Sequence, residues 1–455
     1  MKLKNSLRNL MLMQMLGLPL PLFAVNGAFD YGFSEITRGM GGAGSALPQD
    51  TIIAAVNPAG MVWQKHIMDI GLMTYFPKVY WDASNVLPNA PGQIILTPGR
   101  HASNLDIFTL PDLGLNMPVG KSSTFGATLY SIGGFGSSYP GFGLTQVTVP
   151  ISRFSPLFAT LNTPGPFGGG FLHSDLKQAV GAFTLSSKFS ETSSWGLSLL
   201  IGLQQLALQG AGLLRTFSMY PWEVTNRANA FSAGIGTRGG VLIGAIPHVK
   251  LSASYQPKIL MSNFRQYRGI LADNGSFDIP ATGVVGVAVD LPLNLILAFD
   301  VQRIWFSDIK AYGHPHDAVL PGGTCSIPGF VNNDCYGGPN GPGFGWKNLT
   351  AYKVGVQWQF KPDFAIRFGY NHANSVLQAA YLAENVVAPG AVIEDIYTAG
   401  FSKKIGAKSQ LNAVLAYVPP QSKNGTNAFS TTAVQAVTIR ARGWGFGASY
   451  SVLFS

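Results

Sequence analysis

Several stretches of the chain alternate apolar and small polar residues with a period of two. In TAYKVGVQWQF, Tyr352, Val354, Val356, Trp358 and Phe360 share one face, while Lys353, Gly355, Gln357 and Gln359 share the other. KPD supplies a turn, and FAIRFGYN then places Phe364, Ile366, Phe368 and Tyr370 opposite Ala365, Arg367, Gly369 and Asn371. A hairpin with Phe360 against Phe364 sets Trp358 beside Ile366 and Gln357 beside Arg367, with both faces in phase. The same period runs through LNLILAFDVQ, from Leu293, and through GWGFGASYSVLF near the C-terminus. In WGLSLLIGLQQLALQ the apolar set changes parity at Gln204–Gln205, which predicts a bulge. Short turns fall at 120–123, 191–194, 245–248, 361–363 and 406–408. Longer connections fall near 82–103, 140–173, 263–277 and 311–345.

The composition decides what kind of sheet this is. A soluble sandwich carries many charges on its outer face. Here the second face is mostly Gly, Ser, Asn and Gln, and charged residues make up only 11% of the 455. An apolar belt ending in Trp and Tyr over a small-polar face suits lipid outside and a lumen inside. After the first thirty residues there is no run of about eighteen apolar residues, so helical spans are not expected. The expected fold is an all-β transmembrane barrel of about 14 antiparallel strands, an even number as bacterial barrels have. Short turns then belong on the periplasmic side and long loops outside.

The N-terminus reads as a secretory signal peptide over 1–28: Lys2, Lys4 and Arg8, a short apolar core from Leu10 to Leu18, and small residues near Gly27 and Ala28. The formal charge of +9 is mild and scattered, so no nucleic-acid partner is expected. Cys325 and Cys335 lie close together in a Gly/Pro/Asn-rich stretch of an exported chain, and a disulfide closing that loop is the natural reading; two free thiols are the alternative.

Candidate catalytic and cofactor motifs fail their context tests. Gly39, Gly41 and Gly44 spell G-x-G-x-x-G, but no strand precedes them and no helix with a downstream acid follows. Five residues separate Gly114 from Gly120 where a phosphate-binding loop needs four. His314 and His316 flank a proline in a long loop and read as solvated surface rather than a metal site. There is no nucleophile elbow or zinc-protease motif, and no defensible acid–base pair of carboxylates. No enzyme activity, cofactor or metal is expected.

The stretch FDYGFSEITRGMGGAGSALPQDTIIAAVNPAGM resembles the N-terminus of the outer-membrane long-chain fatty acid and hydrocarbon transporters (FadL/TodX type). The resemblance rests on Arg38, Gly39, Gly41, Gly42 and Ala43, on Asp50, and on Asn57, Pro58, Ala59 and Gly60. It implies that 29–65 form a plug, or hatch, of short helices in the lumen, and that 66–455 form the barrel. It implies passive uptake of hydrophobic molecules across the outer membrane of a Gram-negative cell, with a lateral exit through a kink in the third strand. That strand is TFGATLYSIGGFGSSYP, where Gly133, Gly134 and Gly136 cluster before Pro140. Asn57, with donor and acceptor capacity, is expected to serve backbone groups freed at the kink. Lys353, Gln357 and Arg367 are expected to face the lumen. The partners implied are a hydrophobic small molecule, outer-membrane lipids and lipopolysaccharide, around a monomer. A general diffusion porin and an outer-membrane hydrolase are the rival readings; the first would lack a plug, and the second needs a catalytic constellation.

Overall fold

The computed structural model describes residues 25–87, 93–141, 143–150, 158–327, 329–430 and 434–454. Fourteen of its strands form one ring: β1 Ile67–Ala83, β2 Phe108–Val119, β3 Ser123–Tyr139, β4 Leu172–Lys188, β5 Ser194–Gln209, β6 Ala230–Ile246, β7 Val249–Gln256, β8 Thr282–Leu291, β9 Leu295–Ile304, β10 Leu349–Lys361, β11 Phe364–Ala373, β12 Asp395–Ile405, β13 Ser409–Thr426 and β14 Ala436–Leu453. Each is antiparallel to its neighbours in sequence, and β14 closes on β1 from Ile67–Leu453 to Ala83–Val437. Closure of the ring satisfies the backbone across the wall, as lipid demands, apart from the part of β3 described below. No helix among the described residues is long and apolar enough to cross a membrane.

The two faces of the wall are inside-out relative to a soluble protein. Leu197, Leu199 and Ile201 on β5, and Trp444, Phe446 and Tyr450 on β14, are exposed to the outside. Ser198 on β5 and Ser449 on β14 are buried toward the lumen. The β10–β11 hairpin takes the expected register, with Trp358 beside Ile366 and Gln357 beside Arg367. At the turn the register slips, so that Lys361 rather than Phe360 faces Phe364. The Phe360 ring remains 5.3 Å from that of Phe364.

Two other expectations need correction. β9 starts at Leu295, because Leu293 and Asn294 form the turn from β8 with φ of 64° and 58°. Turn geometry overrides the alternation there and leaves Leu293 at the surface. β5 has no bulge at Gln204–Gln205; its pairing with β4 and β6 is unbroken. The apolar residues change face because the lumen changes character. Leu206 and Leu208 point inward into an apolar cavity, whereas Ser198 lower on the strand meets polar neighbours.

The short connections lie at one end of the ring and the long ones at the other. Besides the expected loops, 210–229, 374–394 and 427–435 also extend the far end. Cys325 and Cys335 are disulfide-bonded in the β9–β10 connection. They are buried against Phe217, Tyr336 and Phe429, so this bridge sits in a small core made by several loops. The N-terminal segment fills the lumen, and burial is continuous from Val25 to Ala46. The signal-peptide reading falls mainly on 1–24, outside the described residues.

The register predicts the cost of a misplaced charge. Phe368 faces outward, 59% exposed, in the middle of β11. Phe368→Arg is expected to destabilise the barrel by about 2–4 kcal/mol, read as a lower temperature for loss of the compact electrophoretic form. Ile366→Arg, nearer the turn, is expected to cost less.

Candidate functional site

The lumenal segment begins with a four-residue helix, α1 (Glu35–Arg38). Ser34 caps it: its Oγ accepts the Thr37 N–H at 3.2 Å, and the Ser34 N–H donates back to the Thr37 hydroxyl. The cap aims Arg38 into a cage of acids, with Asp30 at 3.0 Å, Glu35 at 2.9 Å and Asp112 of β2 at 3.3 Å. All four side chains are buried. The Tyr75 hydroxyl of β1 donates to the second oxygen of Asp30 at 2.8 Å.

After α1 the chain turns sharply through Gly41 and Gly42, with φ of 67° and 82°. A Cβ on Gly41 would lie 2.5 Å from the backbone of Tyr370, so glycine is required both for the turn and for the approach to β11. Gly39 has an ordinary helical φ of −63° and serves by contact, lying against Gly400 of β12. Asn57 accepts the Ala59 N–H at 3.1 Å and starts the 3-10 turn Pro58–Trp63. Gly60 lets this turn lie against Ile53 and Pro48.

The wall holds this segment from nearly all sides. Asp300 of β9 accepts the N–H groups of Gly44 and Ser45 at 3.0 and 2.9 Å. Asp69 of β1 accepts the Thr51 N–H and hydroxyl at 2.8 and 2.7 Å. Arg238 of β6 donates to the Ala54 carbonyl at 3.1 Å. Lys353 donates to the Tyr31 carbonyl at 2.7 Å. Arg367 donates to Gln49 at 3.0 Å and to Gln357 at 2.7 Å. Lys353, Gln357 and Arg367 therefore face the lumen and fasten the hatch directly or through one another. Asp69, Asp112, Arg238 and Asp300 went unnoticed in the sequence. Their signal was a charge at inward parity on a spanning strand, which is costly without a partner.

The glycine cluster does kink β3. Ser131 pairs with Ala179, but Gly133 pairs with Gln178, so Ile132 is an extra residue bulged out of the ladder. Gly133 and Gly134 have φ of 137° and 153°. Pairing with β4 resumes and runs to Tyr139–Leu172, whereas pairing with β2 stops at Asp112–Tyr130. From Ser131 to Ser137 every residue is buried, so the strand folds inward along this whole length. The Ile132 carbonyl freed by the bulge accepts the N–H of Asp30 at 2.6 Å. Asn57 does not serve the kink: its amide donates to Ser45 and to Val241 of β6, both at 3.1 Å. Reach along the chain could not reveal this partner, because it depends on how the hatch folds back in the lumen.

Above the hatch lies an aromatic layer. Tyr312 stacks on Trp346 at 4.9 Å; Phe306, Phe344 and Phe135 pack around them, and Phe29 of the hatch meets Phe306 at 5.7 Å. Beyond it is an apolar cavity of about 90 Å³, walled by residues including Phe135, Leu172, Leu206, Phe277, Phe344 and Phe429. A smaller space of about 10 Å³ lies on the hatch side, between Phe29, Phe33, Tyr130, Ile132 and Arg238. The kinked strand thus borders both spaces, through Phe135 on one and Ile132 on the other.

Two titratable side chains, His316 and Glu384, line the larger cavity beside Ser174 and Tyr336. His316, expected on the solvated surface, is buried there, and Glu384 joins it from the β11–β12 loop. Burial pushes the Glu384 carboxyl up to about 8 and the His316 imidazole down to about 3. Both are uncharged at neutral pH. His314 instead bonds the Gly341 carbonyl at 2.9 Å, and no cluster of metal-ligating side chains occurs among the described residues.

The fold is a closed transmembrane β-barrel of fourteen antiparallel strands. No family model and no curated protein matches the sequence. Solved structures do match. The toluene transporter TodX of Pseudomonas putida superposes with a TM-score of 0.63 at 16% identity, over 93% of this chain and 99% of its own. A FadL homologue of Pseudomonas aeruginosa gives 0.63 at 14% identity, over 96% and 100%. The toluene transporter TbuX of Ralstonia pickettii gives 0.57 at 16% identity, over 93% and 99%. The chain has the fold of the FadL/TodX-type channels along nearly its whole length.

Two outcomes are expected from this geometry. Arg38→Met leaves three buried carboxyls without their cation and should cost about 3–5 kcal/mol. Protease added from the periplasmic side should then reach the hatch at temperatures where the parent resists. For Glu384 the folded carboxyl holds its proton up to about pH 8, whereas an exposed one releases it near 4.5. Local stability is therefore full below pH 4.5, falls as pH rises through that window, and stays low above 8. Hydrogen exchange in loop 374–394 should accelerate accordingly, and Glu384→Gln should abolish that pH dependence.

Proposed function

We propose that the protein passes hydrophobic small molecules across the outer membrane of a Gram-negative bacterium, by passive diffusion and without catalysis. The molecule is received between the long loops, passes the aromatic layer and leaves sideways into the bilayer at the β3 kink. The observation that carries this reading is the coincidence at that kink. The β2–β3 ladder ends where β3 is fully buried, and that part of β3 borders the apolar cavity through Phe135 and the smaller, mixed polar and aromatic space on the hatch side through Ile132. An apolar solute gains nothing from an aqueous channel, so a route lined by Phe and Leu that leads to lipid suits it. The printed identities of the similar structures, toluene transporters among them, favour the same class of cargo. The general-porin reading is disfavoured by the hatch, which fills the lumen and is anchored by buried groups on most strands. That anchoring also favours a hatch that stays in place while cargo goes around it. The closed ring needs no second copy, which supports a monomer set among outer-membrane lipids and lipopolysaccharide.

The test is to straighten the kink. Gly133→Val with Gly134→Val puts β-branched residues at φ values they rarely adopt. The strand should re-register, the wall should close, and uptake of toluene into whole cells should fall at least about tenfold, the loss expected when a route's geometry is spoiled. Assembly, followed by heat-modifiable migration, should persist. Undiminished uptake through a wall shown to be closed would exclude the lateral route.

A further inference from the structure

The cavity beyond the aromatic layer is not uniformly apolar. The Nδ1 of His316 is buried without a hydrogen-bond partner, and the buried Glu384 carboxyl has none on any other residue, only its own backbone N–H. Buried polar groups are ordinarily paired, and an unmade bond is expensive. The His316 ring lies 6.1 Å from Tyr336 and 5.9 Å from Tyr381, and the Glu384 carboxyl acts electrostatically on the same two tyrosines. Ser174, also in the lining, is already committed to the Val387 carbonyl at 2.5 Å.

We infer that this cavity recognises a small uncharged hydrophobe carrying one hydroxyl group, which Glu384 and His316 take between them. The inference rests on the uptake reading above and names its cargo. Three observations select this chemistry. Among the described residues no Lys or Arg lines the cavity, so a carboxylate ligand would meet a carboxyl and no cation. An ammonium ligand would have to lose its water and also draw the proton from Glu384. A hydroxyl needs neither: it accepts from the protonated carboxyl and donates to the imidazole nitrogen. Size selects further. A cavity of about 150 Å³ lined by Leu, Ile and Phe binds benzene. At about 90 Å³ this one is nearer the size of a single ring than of an extended acyl chain.

The experiment uses the full-length barrel in detergent and four ring compounds of matched shape: toluene, p-cresol, 4-methylbenzoate and 4-methylbenzylamine. Calorimetric titration should show p-cresol binding about tenfold more tightly than toluene, the worth of a good buried hydrogen bond. Glu384→Leu should bring that ratio to about one while toluene affinity is retained, and Glu384→Gln, which can still donate, should keep the preference. His316→Phe should reduce it several-fold. If Glu384→Leu fails to assemble, the other two variants carry the comparison. Tightest binding by the carboxylate or the amine would overturn the inference, and so would a cresol preference untouched by His316→Phe. Binding of toluene with no preference for p-cresol would sink the inference and spare the uptake reading. Binding of neither would sink both.

Discussion

The structure depends on one buried cation. Arg38 lies at the end of a helix too short to be stable alone, surrounded by Asp30, Glu35 and Asp112. Asp30 and Glu35 belong to the hatch, and Asp112 belongs to the wall. The charge therefore joins the plug to the barrel at the point where both would otherwise bury uncompensated acids. A buried ion pair is weak grounds for net stability, since apolar packing can do as well. Its value here is register. Only one placement of α1 satisfies three carboxyls at once, and that placement brings the Asp30 N–H to the Ile132 carbonyl.

The kink follows from this. A bulge in a spanning strand frees backbone groups that lipid cannot serve. In β3 the freed carbonyl points inward, and the hatch serves it. The wall can therefore give up part of a ladder without leaving that bond unmade. The cost of the irregularity is met inside the barrel, by the hatch.

Much of this was legible in the sequence because lipid and lumen impose opposite demands at a period of two. Trp358, Ile366, Gln357 and Arg367 could be placed from alternation alone, and the glycines at 133, 134 and 136 marked the bulge. Alternation failed where its premise failed. At Gln204–Gln205 the lumen passes from polar to apolar, and a change of surroundings was mistaken for a change of geometry. Leu293 obeyed the pattern but lies in a turn. The partner of Asn57 and the burial of His316 were out of reach for a different reason. Both depend on how distant segments fold over one another, and neither leaves a local trace. The inward acids Asp69, Asp112 and Asp300 were within reach, since a carboxylate among Gly and Ser on a spanning strand calls for a partner.

Glu35 touches both ends of the barrel. A Cβ on Gly71 of β1 would lie 2.4 Å from its carboxylate, and one on Gly447 of β14 would lie 3.1 Å from its side chain. These are the first and last strands, and they meet at the seam of the ring. The seam fits together only over a residue that is already in position. Glu35 is thus a keystone at the seam: the two strands that close the ring pass it without side chains of their own, so the fit of the first strand to the last is also a fit to the N-terminal segment.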